Sequence, residues 1–177
     1  MPRITDANGV PFLTDDGALV SIPHDHVYVH QGKMWYCEYS ASVANAAAML
    51  ISITTGTKEM HIGMSAITGG AATVAFFEGP TISVQGTALT PVNLNRLNAV
   101  ALTTGVAFKH TPTVTGDGTT LFSRLTPGGT NPALQIGNQA RAGTEWILKK
   151  GTTYLMRITN SSGGNAILNP IFEFYEE

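Results

Sequence analysis

The last third of the chain, residues 145–177, is the stretch that most narrows what it can fold into. Glu145-Trp146-Ile147-Leu148 runs into Lys149-Lys150-Gly151, residues 152–159 follow at once, and Ser161-Ser162-Gly163-Gly164 turns the chain into residues 166–175. Branched and aromatic residues fill all three pieces, and turn residues separate them at close spacing. Two tight connections are enough for antiparallel pairing, so the three are expected to pair as neighbours. They read as the closing half of an all-β sandwich.

The same rhythm runs back through the chain. Residues 34–43, 49–53, 58–67, 72–78, 82–84, 88–92 and 119–125 are strand-length pieces bounded by turn residues. The piece at 58–67 alternates, with Met60, Ile62 and Met64 on one face and Glu59, His61 and Ser65 on the other. Residues 27–30 read as a short strand, turned by Gln31-Gly32-Lys33, and 44–48 as a small-residue patch able to make one helical turn. The 99–143 stretch is Thr/Gly-rich and sparsely charged, with an evident loop from Thr126-Pro127 to Pro132. No window shows helical periodicity with caps. Roughly eight to ten short strands match a jelly-roll-like antiparallel β-sandwich better than an immunoglobulin domain. Residues 1–25 are broken by Asn8-Gly9, Pro11, Asp15-Asp16-Gly17 and Pro23, with short apolar pieces between. They are expected to form an extended N-terminal arm, docked on their own domain or on a partner subunit, ahead of a sandwich domain at 26–177.

Charge limits the partners. Ten Lys+Arg against twelve Asp+Glu give a net charge of -2, and charged residues make up only 12% of the chain, about half the usual share. A nucleic-acid footprint needs a basic stripe. The one adjacent basic pair, Lys149-Lys150, sits at a strand end and reads as a turn guard. No apolar run approaches membrane-spanning length and the first residues carry no apolar signal core, so neither a nucleic acid nor a membrane is an expected partner. A neutral polar surface suits subunit packing, because few charges need desolvating. A monomer with a Thr/Ser-rich surface is the plain alternative. A single cysteine, Cys37, excludes an internal disulfide and reads as a small buried hydrophobe.

Few residues suggest chemistry. His24-Asp25-His26, with His30 behind, are zinc-ligand types. On a strand, though, His24 and His26 share a face while Asp25 points away, so surface or interface histidines are the plainer reading. His61 and His110 lie far off in sequence. No nucleophile elbow, phosphate loop or dinucleotide fingerprint occurs. Cys37 lies in a predicted strand rather than at a helix N-terminus, which speaks against a nucleophile. No catalytic residue, cofactor or metal is therefore assigned. Glu173, in the otherwise apolar run 171–175, is either an edge guard or the partner of a buried cation such as Arg157. Asn95-Arg96 is the polar cluster to single out. Asn bonds the local backbone and an Arg fork ties carbonyls or a carboxylate, so the pair reads as a loop clasp or as an intersubunit contact.

These pieces also carry a family resemblance. In order come His30-Gln31-Gly32-Lys33-Met34-Trp35-Tyr36, Thr57-Lys58-Glu59-Met60-His61, Phe77-Glu78-Gly79-Pro80, Gly86-Thr87-Ala88-Leu89-Thr90-Pro91 and Asn93-Leu94-Asn95-Arg96, then the 147–159 run and the terminal Phe174-Tyr175-Glu176. Their order and spacing over roughly residues 27–177 resemble the small head decoration, or capsid cement, proteins of tailed bacteriophages. The resemblance implies a β-sandwich virion protein that forms a homotrimer on the outer capsid surface. It would bridge neighbouring copies of the major capsid protein against internal pressure, without catalysis, after synthesis in the bacterial host cytoplasm. Relatives of this kind also include fibre proteins, so a receptor- or glycan-binding module of a phage head or tail fibre is the alternative. A sugar site wants a Tyr or Trp platform on a loop tip. Here Trp35, Trp146, Tyr36 and Tyr154 all fall in predicted strands, which favours decoration. A cupin-like enzyme would need His24, His26, His61 and a carboxylate around one cavity.

Overall fold

Alternation in the sequence becomes two antiparallel sheets packed face to face in the computed structural model, which describes residues 24–127 and 145–177. A short helix α1 (His24–His30) precedes β1 (Trp35–Glu38), β2 (Ala41–Val43), β3 (Ala48–Thr54), β4 (Met60–Thr68), β5 (Ala72–Glu78), β6 (Thr81–Val84), β7 (Thr87–Leu89) and β8 (Val92–Asn93). Then come β9 (Ala107–His110), β10 (Thr113–Gly116), β11 (Thr119–Thr126), β12 (Trp146–Leu148), β13 (Thr153–Asn160) and β14 (Ala166–Glu176). One sheet runs β12-β4-β14-β1-β8, with β2 also on β14. The other runs β11-β5-β13-β3-β9-β7, and β6 pairs with β10 as a separate ribbon.

The pleat explains the core. Along β14, Leu168, Phe172 and Phe174 point inward and are fully buried, while Ile167, Asn169 and Glu173 point out. Met60 and Ile62 of β4 lie beside Glu176 and Phe174 in register. On the facing sheet Tyr154, Met156 and Ile158 of β13 are buried in the same cluster. The sheets touch where Phe108 of β9 rests against Phe172 and Phe174, with ring centroids 5.4 and 4.9 Å apart. An all-β sandwich is thus the fold, as the strand pattern predicts.

The closing three strands do not pair with one another, which corrects the sequence expectation. β12 pairs with β4, β13 sits between β3 and β5, and β14 sits between β4 and β1. Both tight connections cross between the sheets. Leu155 and Met156, adjacent on β13, are both buried, so this strand needs cover on both faces and takes a central place. The 149–152 turn is tied instead to the 55–56 turn: the Thr55 hydroxyl donates to the Lys149 carbonyl (2.6 Å) and accepts from the Thr152 amide (2.9 Å). Asn160 holds the other turn, donating to the carbonyls of Val43 and Gly164 at 2.8 Å each.

Three further expectations change. Residues 27–30 belong to α1, not to a strand. The helix ends in a Schellman motif: Gly32 takes φ +69°, its amide donates to the Val29 carbonyl and the Lys33 amide to the Tyr28 carbonyl. Tyr28 stacks on Tyr175 at 4.0 Å, a contact that outweighs the strand preference of Val27-Tyr28-Val29. The runs at 34–43 and 88–92 each split in two, and β7 and β8 join opposite sheets. The Thr/Gly-rich stretch holds two unforeseen strands, β9 and β10. The arm expected at 1–25 lies outside the described residues except for the start of α1, and the loop at 126–132 lies largely outside them.

The β6–β10 ribbon covers a second, smaller core on the outer face of β13, where Ala75, Phe77, Leu50 and Leu155 meet Val114. Arg157 belongs to this outer layer. Its guanidinium stands 5.3 Å from the Phe77 ring centre and pairs two-pronged with Asp117, just past β10. Glu173 lies on the outer face of the other sheet, opposite Tyr36 in register, so the Arg157–Glu173 pair is not formed. Phe108 is the fully buried residue of its strand and carries its contact with the aromatic core of β14. Phe108→Ala is expected to cost about 3–5 kcal/mol, read as a shift in the urea midpoint at unchanged slope.

Candidate assembly surface

Strand β8 is an edge of its sheet, and the loop after it carries the least covered apolar side chain of the described residues. Leu97 is 99% exposed, and Val92, Leu94 and Val100 around it are also exposed. Burying one Leu side chain is worth about 1.5–3 kcal/mol. A loop that leaves it in water needs other contacts to keep its shape.

Two asparagines supply them. Asn93, only 3% exposed, donates to the Gly32 carbonyl at 2.7 Å and accepts the Asn95 amide at 2.8 Å. Asn95 in turn accepts the amides of Leu97 (3.1 Å) and Asn98 (2.9 Å) and donates to the His30 carbonyl (3.0 Å). Main-chain bonds from Leu94 to Met34 and from Val100 to Gly32, 2.9 Å each, close both ends of the loop. Farther along, Glu176 accepts from the Thr103 amide and hydroxyl. Gly32 is obligatory here: a Cβ would sit 1.8 Å from the Asn98 carbonyl oxygen. The loop is thus tied to the end of α1, to the chain before β1 and to β14.

In the Asn95-Arg96 cluster the loop contacts belong to Asn95. Asn95 is the clasp. Arg96 is exposed, and among the described residues it takes no carboxylate partner. Asn93 is the residue the sequence reading passed over, although Asn-x-Asn is the spacing of two Asx turns in series. His30 contributes its carbonyl to the clasp, while its ring meets His26, Nε2 to Nε2 at 2.9 Å. Arg157 and Glu173 lie elsewhere, on opposite outer faces.

The remaining chemical candidates are dispersed. His61 stacks on Tyr175 on the outer face of β4 and β14, with Glu145 and Glu177 oxygens 3.4 and 3.6 Å from its ring nitrogens. His110 stacks on Tyr39. Among the described residues no three His, Cys, Asp or Glu side chains group to hold a metal ion, and no helix is long and apolar enough to cross a membrane. Trp35 and Trp146 pack against the core, and Tyr154 is buried with its hydroxyl donating to Glu78. Tyr36 donates to Glu38 at 2.7 Å, and burial together with that carboxylate pushes its pKa up to about 12.

Cys37 is 2% exposed, and burial pushes its thiol up to about 12. It is a packed, protonated group at neutral pH. A soluble disulfide reagent is expected to leave it unlabelled in the native protein and to label one thiol per chain in denaturant; fast native labelling would contradict this placement. Asn93→Ala is expected to cost about 1–3 kcal/mol by taking the acceptor from the Asn95 amide and one of two donors from the Gly32 carbonyl, whereas Arg96→Ala stays within about 0.5 kcal/mol. Thermal melts of the two variants separate clasp from rim. Compared with protein-family models, curated proteins and solved structures, the chain matches none.

Proposed function

We propose that this chain is a structural virion protein, a capsid decoration or cement subunit that acts as a homotrimer on the outside of a phage head and stabilises it by bridging major capsid proteins. A jelly-roll description of the sandwich belongs to the same proposal. The observation that carries it is Leu97, held fully exposed on a loop whose backbone is already tied down. A prebuilt loop loses little conformational freedom on binding, so more of the apolar burial appears as affinity. Val92, Leu94 and Val100, near Leu97 in sequence, are exposed as well, and the chain as a whole is poor in charge. A cyclic trimer joins two different patches of each subunit, and this one supplies a first half. On a symmetric shell the same weak contact repeats many times and gains through multivalency. Among the described residues the tryptophans are spent on the core, which favours a mechanical role over a sugar platform.

Light scattering tests the proposal. The protein is expected at three times its 18.7 kDa mass, and Leu97→Asp is expected to shift it towards a single chain and to abolish co-sedimentation with undecorated heads of the phage that encodes it. Wild-type protein that stays a single chain at high concentration and does not sediment with those heads would end the proposal.

A further inference from the structure

Two imidazoles that the loop clasp leaves unused meet on the open side of α1. His26 and His30 stand one turn apart, both exposed, with Nε2 atoms 2.9 Å apart and ring planes at 83°. Helix spacing alone brings residues four apart onto one face. It does not require that the same nitrogen of both rings come to within 2.9 Å of the other. A tetrahedral ion held by two imidazole nitrogens at about 2.0–2.1 Å keeps those nitrogens about 3.3 Å apart. The observed separation falls only a few tenths of an ångström short, and rotation about each Cβ–Cγ bond would have to widen it and turn each lone pair from the other nitrogen towards the shared ion.

We propose that His26 and His30 form a two-histidine chelate for a borderline divalent transition ion, Zn²⁺ foremost, with water in the remaining positions. Neutral imidazole suits Zn²⁺, Cu²⁺ and Ni²⁺, whereas Ca²⁺ and Mg²⁺ want oxygen ligands that this pair does not offer. The ring contact requires one Nε2–H donor and one Nε2 lone pair. Metal uptake moves that proton to Nδ1 of the same ring, so both lone pairs face the ion and no net charge is lost. The helix is set for this. Its C-terminus is closed by Gly32, its last carbonyl accepts from Asn95, and Tyr28 anchors it on Tyr175. A helix of seven residues is short enough to fray. An ion bridging one turn of it would act as a staple where α1 joins the Asn95 loop, a structural role rather than a catalytic one.

Full-length, tag-free protein stripped with a chelator and titrated with Zn²⁺ in a calorimeter is expected to take up one ion per chain. His26→Ala and His30→Ala, both exposed and away from the core, are each expected to weaken uptake at least tenfold, while Arg96→Ala leaves it unchanged. Cu²⁺ in place of Zn²⁺ is expected to show spin coupling to two imidazole nitrogens, and Zn²⁺ to slow amide exchange over residues 27–33 in wild type but not in His30→Ala. The chelate is overturned if millimolar Zn²⁺ does not bind, if the double variant binds as wild type does, or if only one of the two substitutions matters.

Discussion

The contact of Phe108 with Phe172 and Phe174 is the interaction on which the other layers depend. It joins a short strand near the edge of one sheet to the central strand of the other. β14 is that central strand, eleven residues long, and it carries β4 on one side and β1 and β2 on the other. Its alternation decides which face of β4 and β1 is dry. In its sheet β8 pairs with β1, at Trp35 and Tyr36, so the exposed loop after β8 is carried in part by the same core.

A second constraint acts on the backbone. Every carbonyl and amide removed from water needs a partner, and irregular chain cannot find one in a ladder. This protein answers with side chains. Asn93 and Asn95 serve the loop around Leu97, Asn160 serves the turn into β14, Thr55 serves the turn into β13, and Glu176 serves Thr103. Each clasp lets the chain change sheet or leave a sheet edge without a stranded polar group. That is how two strands as close in sequence as β13 and β14 come to lie in opposite sheets.

Strand positions were legible in the sequence because the pleat writes itself as alternation. Met60, Ile62 and Met64 of β4 are the clearest case, and the strand-length runs at 72–78, 119–125, 152–159 and 166–175 match β5, β11, β13 and β14 within a residue or two. Pairing was not legible. Close spacing suggested a meander of the last three strands, yet spacing is blind to the Thr55 and Asn160 contacts that carry the chain across the sandwich. α1 was hidden by Val27-Tyr28-Val29, whose strand preference loses to the Tyr28–Tyr175 stack; Gly32 just past its end was the available helix signal. β9 was hidden because Phe108 is its single fully buried apolar residue. Within the candidate surface, Asn95 was legible as a clasp. The exposure of Leu97 was not, since nothing local distinguishes it from a buried leucine.

The low charge of the chain and its side-chain clasps have one physical root. A chain with few charges has few ions to desolvate wherever its surface is covered, but it also has few ion pairs to hold its loops. Amide and hydroxyl groups bonded to backbone fill that gap and are weakened little by salt, which screens exposed charges within about 10 Å. Two of the ion pairs are joined to other contacts. Arg157 lies over Phe77 while it holds Asp117, so the ribbon of β6 and β10 is fastened by an apolar contact and a charge at once. Lys149 and the Tyr154 hydroxyl both donate to Glu78, and the Lys149 bond leads in holding that carboxyl below its ordinary range. A depressed carboxyl stabilises the fold above its unfolded pKa and loses that contribution as pH falls through the folded value. The fastening at this end of the sandwich is therefore intact at neutral pH and weakens in acid, while the Asn93 and Asn95 clasps at the exposed loop contain no group that titrates there.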